Sequence, residues 1–145
     1  MLTVVQRVHE ASVTVEEQTV ARITQGLLIL CGFAADDSPL TLQRMLDKCL
    51  NYRIFDDAQG KMNLSLKDVQ GGLLLVPQFT LLADTERGLR PSFSKGAAPD
   101  HGRSLFDQLV ALAHAHHPVV ASGRFAADMQ VQLCNNGPAT FILEF

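Results

Sequence analysis

Leu27-Leu28-Ile29-Leu30-Cys31 runs without a polar residue between Gly26 and Gly32. A half-buried strand alternates apolar and polar positions, so an unbroken run of this length suits a strand covered on both faces. A second segment of buried character, Leu73 to Leu82, follows Gly71-Gly72. Strands of this kind need cover above and below, which commits the chain to a layered domain. It has the material: 145 residues, 47% hydrophobic and 19% charged, with ten Gly and six Pro. A domain of this size buries about 70% of the surface its unfolded chain exposes. The same composition excludes disorder, collagen and disulfide scaffolds. No apolar stretch reaches the roughly 18 residues of a membrane span. The opening MLTVVQRVHEASVTV has no basic segment followed by an apolar core and a small-residue cleavage site, so no signal peptide is expected and the cytoplasm is the default address.

The remaining pattern fills in the layers. Leu2, Val4, Gln6 and Val8 alternate against Thr3, Val5 and Arg7, and Ala11 to Val15 and Thr19 to Ile23 flank a polar Glu16-Glu17-Gln18 turn, a hairpin signature. Ser38-Pro39 is an N-cap with a first-turn proline, and Leu42, Met45, Leu46 and Cys49 recur at helical spacing, which predicts a helix over 39–51. Tyr52 to Phe55 reads as a short strand ending in the turn Asp56-Asp57-Ala58-Gln59-Gly60. Residues 83–102 show no sustained period and read as a loop of about twenty residues, a length that usually serves function. A second helix spans Ser104 to His117, closed by Pro118. Two final strands, 129–134 and 139–145, are expected to be joined by a turn at Asn135-Asn136-Gly137-Pro138. These elements predict one domain over 1–145, α/β with an α+β-like layering, and no repeat or linker. There is no GxGxxG, phosphate-binding loop or CxxC pair.

Formal net charge is −3, which argues against gripping long stretches of phosphate backbone while leaving room for reading a nucleic-acid end by pocket chemistry. Cys31, Cys49 and Cys134 are widely spaced in apolar surroundings and read as buried reduced thiols. His114, His116 and His117 suggest a metal site, but no Cys or carboxylate accompanies them at ligand spacing; a solvated helix end is the better reading. The Asp56-Asp57-Gln59-Gly60 cluster lacks the closing Glu of a calcium loop and reads as a turn. No GxSxG elbow is present. Two segments stand out. Val76-Pro77-Gln78-Phe79-Thr80-Leu81 takes a buried strand into the long loop with an amide and a hydroxyl at its end. Asn135-Asn136-Gly137-Pro138-Ala139-Thr140 contains an X-Pro bond that can be cis, presenting two main-chain carbonyls side by side. Taken alone, each reads as an ordinary strand end or turn.

Together with the rest of the chain they resemble the D-aminoacyl-tRNA deacylases, first known as D-tyrosyl-tRNA deacylases. The resemblance runs through Gln6-Arg7-Val8, Ala11-Ser12-Val13-Thr14-Val15, Tyr52-Arg53-Ile54-Phe55, Gly60-Lys61-Met62-Asn63-Leu64, Gln78-Phe79-Thr80-Leu81 and Ala83-Asp84-Thr85. It continues through Arg90 to Ala97, Gly123-Arg124-Phe125-Ala126-Ala127-Asp128-Met129-Gln130-Val131, and Asn135 to Thr140.

The resemblance implies a D-tyrosyl-tRNA deacylase-like fold, a three-layer domain of two packed β-sheets with helices. It also implies a homodimer with active sites at the interface, and a cis Gly137-Pro138 bond reaching into the partner's pocket, where its carbonyls, steadied by Arg7, would hold the substrate α-amino group. Phe79 and Thr80 would line the ester site, Gln78 would meet the terminal adenosine, Phe125 and Met129 would form adjoining wall, and Asn135 would belong to the substrate-binding turn. Thr80 and Gln78 are the candidate catalytic residues, Thr80 for binding or water positioning first and attack second. The implied substrate is D-aminoacyl-tRNA, or glycine mischarged on tRNA-Ala, with L-aminoacyl substrates rejected. No metal or cofactor is implied, and the ribose 2′-hydroxyl of the tRNA takes part in the hydrolysis. A dimeric RNA-end binding module without catalysis and a metal-dependent hydrolase using the histidines are the rival readings. The family's first motif usually begins with Ser, whereas this chain has Pro77, which has neither the hydroxyl nor a backbone N–H.

Overall fold

The computed structural model describes residues 1–145. In chain order it comprises β1 (Leu2–Val15), β2 (Gln18–Ile23), β3 (Gly26–Gly32), α1 (Pro39–Asn51), β4 (Phe55–Asp56), β5 (Met62–Leu64) and α2 (Leu66–Val69). There follow β6 (Gly72–Pro77), a 3₁₀ turn (Phe79–Leu82), α3 (Pro99–His116), β7 (Val120–Ser122) and β8 (Gln130–Glu144).

The long first strand organises the sheet. Residues Leu2 to Val8 of β1 pair antiparallel with β3, and Ala11 to Val15 pair with β2 on the same edge. β8 runs antiparallel along the opposite edge from Leu2 to Thr14. Beyond β3 the sheet continues with β6 and β7, both parallel.

The apolar run in β3 is buried on both faces. Leu27, Ile29 and Cys31 join Leu73 and Leu75 of β6 in a core with Leu42, Met45, Leu46 and Cys49 of α1 and Leu105, Phe106 and Leu109 of α3. Leu28, with Leu74 and Val76 of β6, faces the other way into a second core with Val8, Ala11, Val13, Ala21 and Ile23. The sheet therefore folds over on itself, and the three layers are the helices and two leaves of strand. The two expected sheets are leaves of one six-stranded sheet, accompanied by the small β4–β5 pair. Each fully buried Leu or Ile in these cores contributes about 1.5–3 kcal/mol. Close approach of β3 and β6 requires glycine where they begin: a Cβ on Gly26 would run into the carbonyl oxygen of Gly72.

α1 begins at Pro39 behind the Ser38 N-cap and buries Leu42, Met45, Leu46 and Cys49, as its spacing predicts. Elsewhere the boundaries differ from the expectations. β1 is one strand rather than two, because β8 pairs along nearly its whole length. Tyr52–Phe55 is a strand only from Phe55. β6 stops at Pro77, and residues 79–82 form a 3₁₀ turn instead of extending it. α3 starts at Pro99 rather than Ser104, with Asp100 in its first turn, so the irregular segment is shorter than expected. The largest difference is β8: the expected hairpin at 135–138 does not exist, and 130–144 is one strand. Cys134 on that strand is exposed, unlike the buried Cys31 and Cys49. No helix is long and apolar enough to cross a membrane.

Candidate active site

The 135–138 segment is a bulge in mid-strand. Gln6 pairs with Thr140 and Val8 with Asn135, so β8 spends three more residues than β1 between the same two rungs. The surplus chain leaves the ladder, and it carries Gly137 and Pro138, both exposed and joined by a cis peptide bond. Asn135 closes the base of the bulge, its Nδ2 donating to the carbonyl oxygens of Arg7 at 3.1 Å and Ala139 at 3.2 Å. A Cβ on Gly137 would lie 2.8 Å from Asn135 Oδ1, so a side chain there would displace the clasp. Arg7 braces the bulge from beneath: Nε donates to Asn136 O at 3.1 Å, and Nη1 donates to Ile54 O at 2.7 Å and lies 3.4 Å from Asp56 Oδ1. Its side chain is only 5% exposed, so these contacts replace the water a guanidinium needs.

The second segment is built at the end of β6. Gln78 still donates its N–H to Cys31 O at 2.8 Å, then turns the chain out of the sheet with φ −143° and ψ 80°. Leu81 N–H returns to Gln78 O at 3.2 Å and Ala83 N–H to Thr80 O at 3.1 Å. The Gln78 side-chain amide donates to Thr80 Oγ1. No histidine or carboxylate bonds that hydroxyl, so the structure supplies no base to activate it as a nucleophile. Phe79 is 62% exposed, its ring edge-on to Phe93 with centroids 5.1 Å apart.

Pro77 costs nothing here. Gln78 N–H faces β3, so the N–H that Pro77 lacks would face the β7 side, where the ladder has already ended at Leu75–Ser122. Gly123 occupies that side. A Cβ on it would lie 2.7 Å from Met129 Sδ and 3.4 Å from Pro77 Cδ, which places Met129 beside the β6 terminus. Phe125 turns instead to α3, its ring 6.4 Å from Phe106 with the Arg103 guanidinium 5.1 Å above it.

Within one chain the two groups are apart. Arg7 pairs with Leu27 of β3, whereas Gln78 bonds Cys31, four residues or about 13 Å along the same strand. The bulge is offset further, two strands across the sheet on β8. Arg7, Asn135, Gly137 and Pro138 are thus assembled as one unit, and Pro77, Gln78, Phe79, Thr80 and Met129 as another. Asp56 and Ile54 as partners of Arg7, Phe93 as partner of Phe79, and Gly123 were not anticipated. Asp56 carried a signal as the first residue of a recognised turn, and Ile54, Phe93 and Gly123 lie in the motif segments shared with the family, though their roles were not legible there.

The segment after the 3₁₀ turn is held by side chains. Asp84 and Ser92 exchange two backbone hydrogen bonds, and Lys95 Nζ lies 3.3 Å from Asp84 Oδ2. The Glu86 N–H and then Lys95 hold the Asp84 carboxyl below its usual range. His114 and His116 are exposed on the last turn of α3, while the buried His117 ring nitrogen is 2.7 Å from Gly71 O. Asp57 accepts from the N–H groups of Gln59 and Lys61 in an ordinary side-chain-closed turn. Burial pushes the Cys31 thiol far above its usual range and Cys49 up to about 12.

Residues 4–144 match the family described as D-Tyr-tRNA(Tyr) deacylase. A curated protein named D-aminoacyl-tRNA deacylase from Legionella pneumophila (strain Lens) is 65% identical over 145 residues, covering all of both chains. One of the same name from Ectopseudomonas mendocina (strain ymp) is 58% identical over 99% of each. Among solved structures, one described as "c-Myc DNA Unwinding Element Binding Protein" is 34% identical with a TM-score of 0.94, covering 100% of this chain and 99% of that one. Another, described as "Structural Analysis of a probable eukaryotic D-amino acid tRNA deacylase", shares the fold at 18% identity, with a TM-score of 0.83 over 98% of this chain and 97% of that one.

Proposed function

The chain belongs to the D-Tyr-tRNA(Tyr) deacylase family, and on that premise we propose that it is a hydrolase of D-aminoacyl-tRNA, acting in a homodimer. Water cleaves the ester between the amino acid and the terminal ribose, releasing the free D-amino acid and tRNA with its hydroxyl restored. Glycine mischarged on tRNA-Ala is a second substrate, and L-aminoacyl-tRNA is refused.

The observation that carries this reading is the braced bulge at Gly137-Pro138, lifted clear of its own sheet and distant from Gln78–Thr80 of the same chain. A projection of main-chain carbonyls held by a buried arginine suits the α-amino group of a substrate, and a second copy related by a two-fold axis would bring it to the ester site. The ester site contains an amide, a hydroxyl and exposed main chain, with no charged nucleophile. Fixed dipoles of this kind can polarise an ester carbonyl, so the tRNA 2′-hydroxyl is assigned the proton-transfer role and Thr80 a positioning one. With amino and carbonyl groups both held, a D side chain points outward and an L side chain is driven into backbone. Glycine passes, because the filter excludes L rather than gripping D.

The test is turnover by substoichiometric protein on matched D-, L- and glycyl-tRNA. Release of more D-amino acid and glycine than there are sites, with L substrate spared, supports the reading. Binding without turnover would make this an RNA-end binding module, and L hydrolysis at the D rate would overturn the pocket.

A further inference from the structure

We propose that the cleft between α3 and residues 122–127 carries the single-stranded nucleotides preceding the terminal adenosine, with Arg103 and Arg124 as their phosphate contacts. This rests on the deacylase reading and deepens it. A tRNA delivering its esterified 3′ end must lead its preceding nucleotides away over the protein surface, each bearing a negative charge. The cleft, of about 770 Å³, is placed to receive them: a Cβ on Gly123 in its lining would lie 2.7 Å from Met129 Sδ and 3.4 Å from Pro77 Cδ, next to Gln78.

Its chemistry fits a phosphate chain. Arg103 and Arg124 both line it and neither has a carboxylate within 4.0 Å, although Asp107 stands one helical turn after Arg103. The Arg103 guanidinium carbon lies over the Phe125 ring, 5.1 Å from its centroid, and Phe125 is itself fixed by Phe106 and by Gly102, where a Cβ would come within 3.1 Å of its ring. A guanidinium held over a fixed ring keeps N–H groups available for a phosphate at little entropic cost. Glu16 and Asp107 also line the cleft, so the two arginines act locally, consistent with an overall charge of −3.

Kinetics on two substrates test this: D-aminoacyl-tRNA, and D-aminoacyl-adenosine, which has the same ester and no phosphate. Arg103→Gln and Arg124→Gln are each expected to raise KM for the tRNA several-fold, leave kcat intact and lower the salt slope of log KM by roughly 0.7. The adenosine substrate should be cleaved as by the parent. Arg103→Lys should recover most of the tRNA affinity, and Asp107→Asn should lower KM for tRNA alone. Equal losses on both substrates would mean that Arg103 only packs Phe125, and unchanged KM for tRNA would mean that the strand leaves by another route; either overturns the proposal. Failure of the parent protein on both substrates would instead refute the deacylase reading, before any variant is compared.

Discussion

Arg7 Nε lies 3.1 Å from the main-chain oxygen of Asn136, 129 residues away in sequence and directly before Gly137. The same guanidinium satisfies Ile54 O, so one side chain ties the β8 bulge to the segment leading into β4. Arg7→Lys keeps the charge and loses the fork that reaches two carbonyls at once. We expect deacylation to fall tenfold or more, with a stability loss of about 1–3 kcal/mol from the unpaired buried groups. Steady-state rates and denaturant melts check both, and full activity would show that the brace is dispensable.

Thr80→Ala separates two mechanisms. A covalent nucleophile cannot be removed without abolishing turnover, whereas a positioning hydroxyl bonded only to the Gln78 amide can. The expected outcome is a rate within about tenfold of the parent. A loss as deep as that of a pocket-destroying variant would assign Thr80 to attack.

Pro77→Ser adds a hydroxyl and an N–H at the end of β6, beyond the β7 ladder. One new hydrogen bond is worth about 0.5–1.5 kcal/mol, or several-fold. A modest change in the preference between D-aminoacyl- and glycyl-tRNA is expected, and identical rates on both would make Pro77 a neutral scaffold.

Mixing tests the dimer. Arg7→Ala damages only the bulge and Gln78→Ala only the β6 terminus, so each homodimer has two defective sites. Random exchange should restore about one site in four, because half the dimers are mixed and each has one site free of both changes. Light scattering should give twice 15.8 kDa. An active monomer, or no recovery after confirmed exchange, would refute sites completed in trans.

The Asp84 clasp has a pH signature. Its carboxyl is held below 3.8 by the Glu86 N–H and Lys95, so the clasp's contribution is complete above 3.8 and is lost as pH falls through the lower folded-state value. Trypsin should cut Asp84→Asn faster than the parent after Arg87 at neutral pH. Pepsin cleavage of the parent at the fully exposed Leu89 should accelerate only below 3.8. Equal trypsin rates would show that the two Asp84–Ser92 backbone bonds suffice.

The sequence was legible where periodicity is local. Leu42, Met45, Leu46 and Cys49 announce α1, and the unbroken run at Leu27 announces a strand covered twice. Gly137-Pro138 has the composition of a turn; only the eleven residues of β1 that pair on either side keep β8 running past it. α3 began early because Pro99 and Asp100 are first-turn residues whose helical face is not yet apolar. Both site segments were visible as motifs, yet their separation along β3 depends on strand register, which no motif encodes.

β1 bonds to β2, β3 and β8 and also supplies Arg7, so the bulge is tied to a strand shared by three neighbours. The bulge is thus fastened to the strand with the most partners in the sheet. Amide protons of Val4 to Val8 should accordingly exchange with solvent only through global opening, at the free energy of whole-protein unfolding. Precision at the bulge and cooperativity of the fold are then one property: breathing motions that would shift Gly137 and Pro138 are suppressed wherever the protein is folded at all.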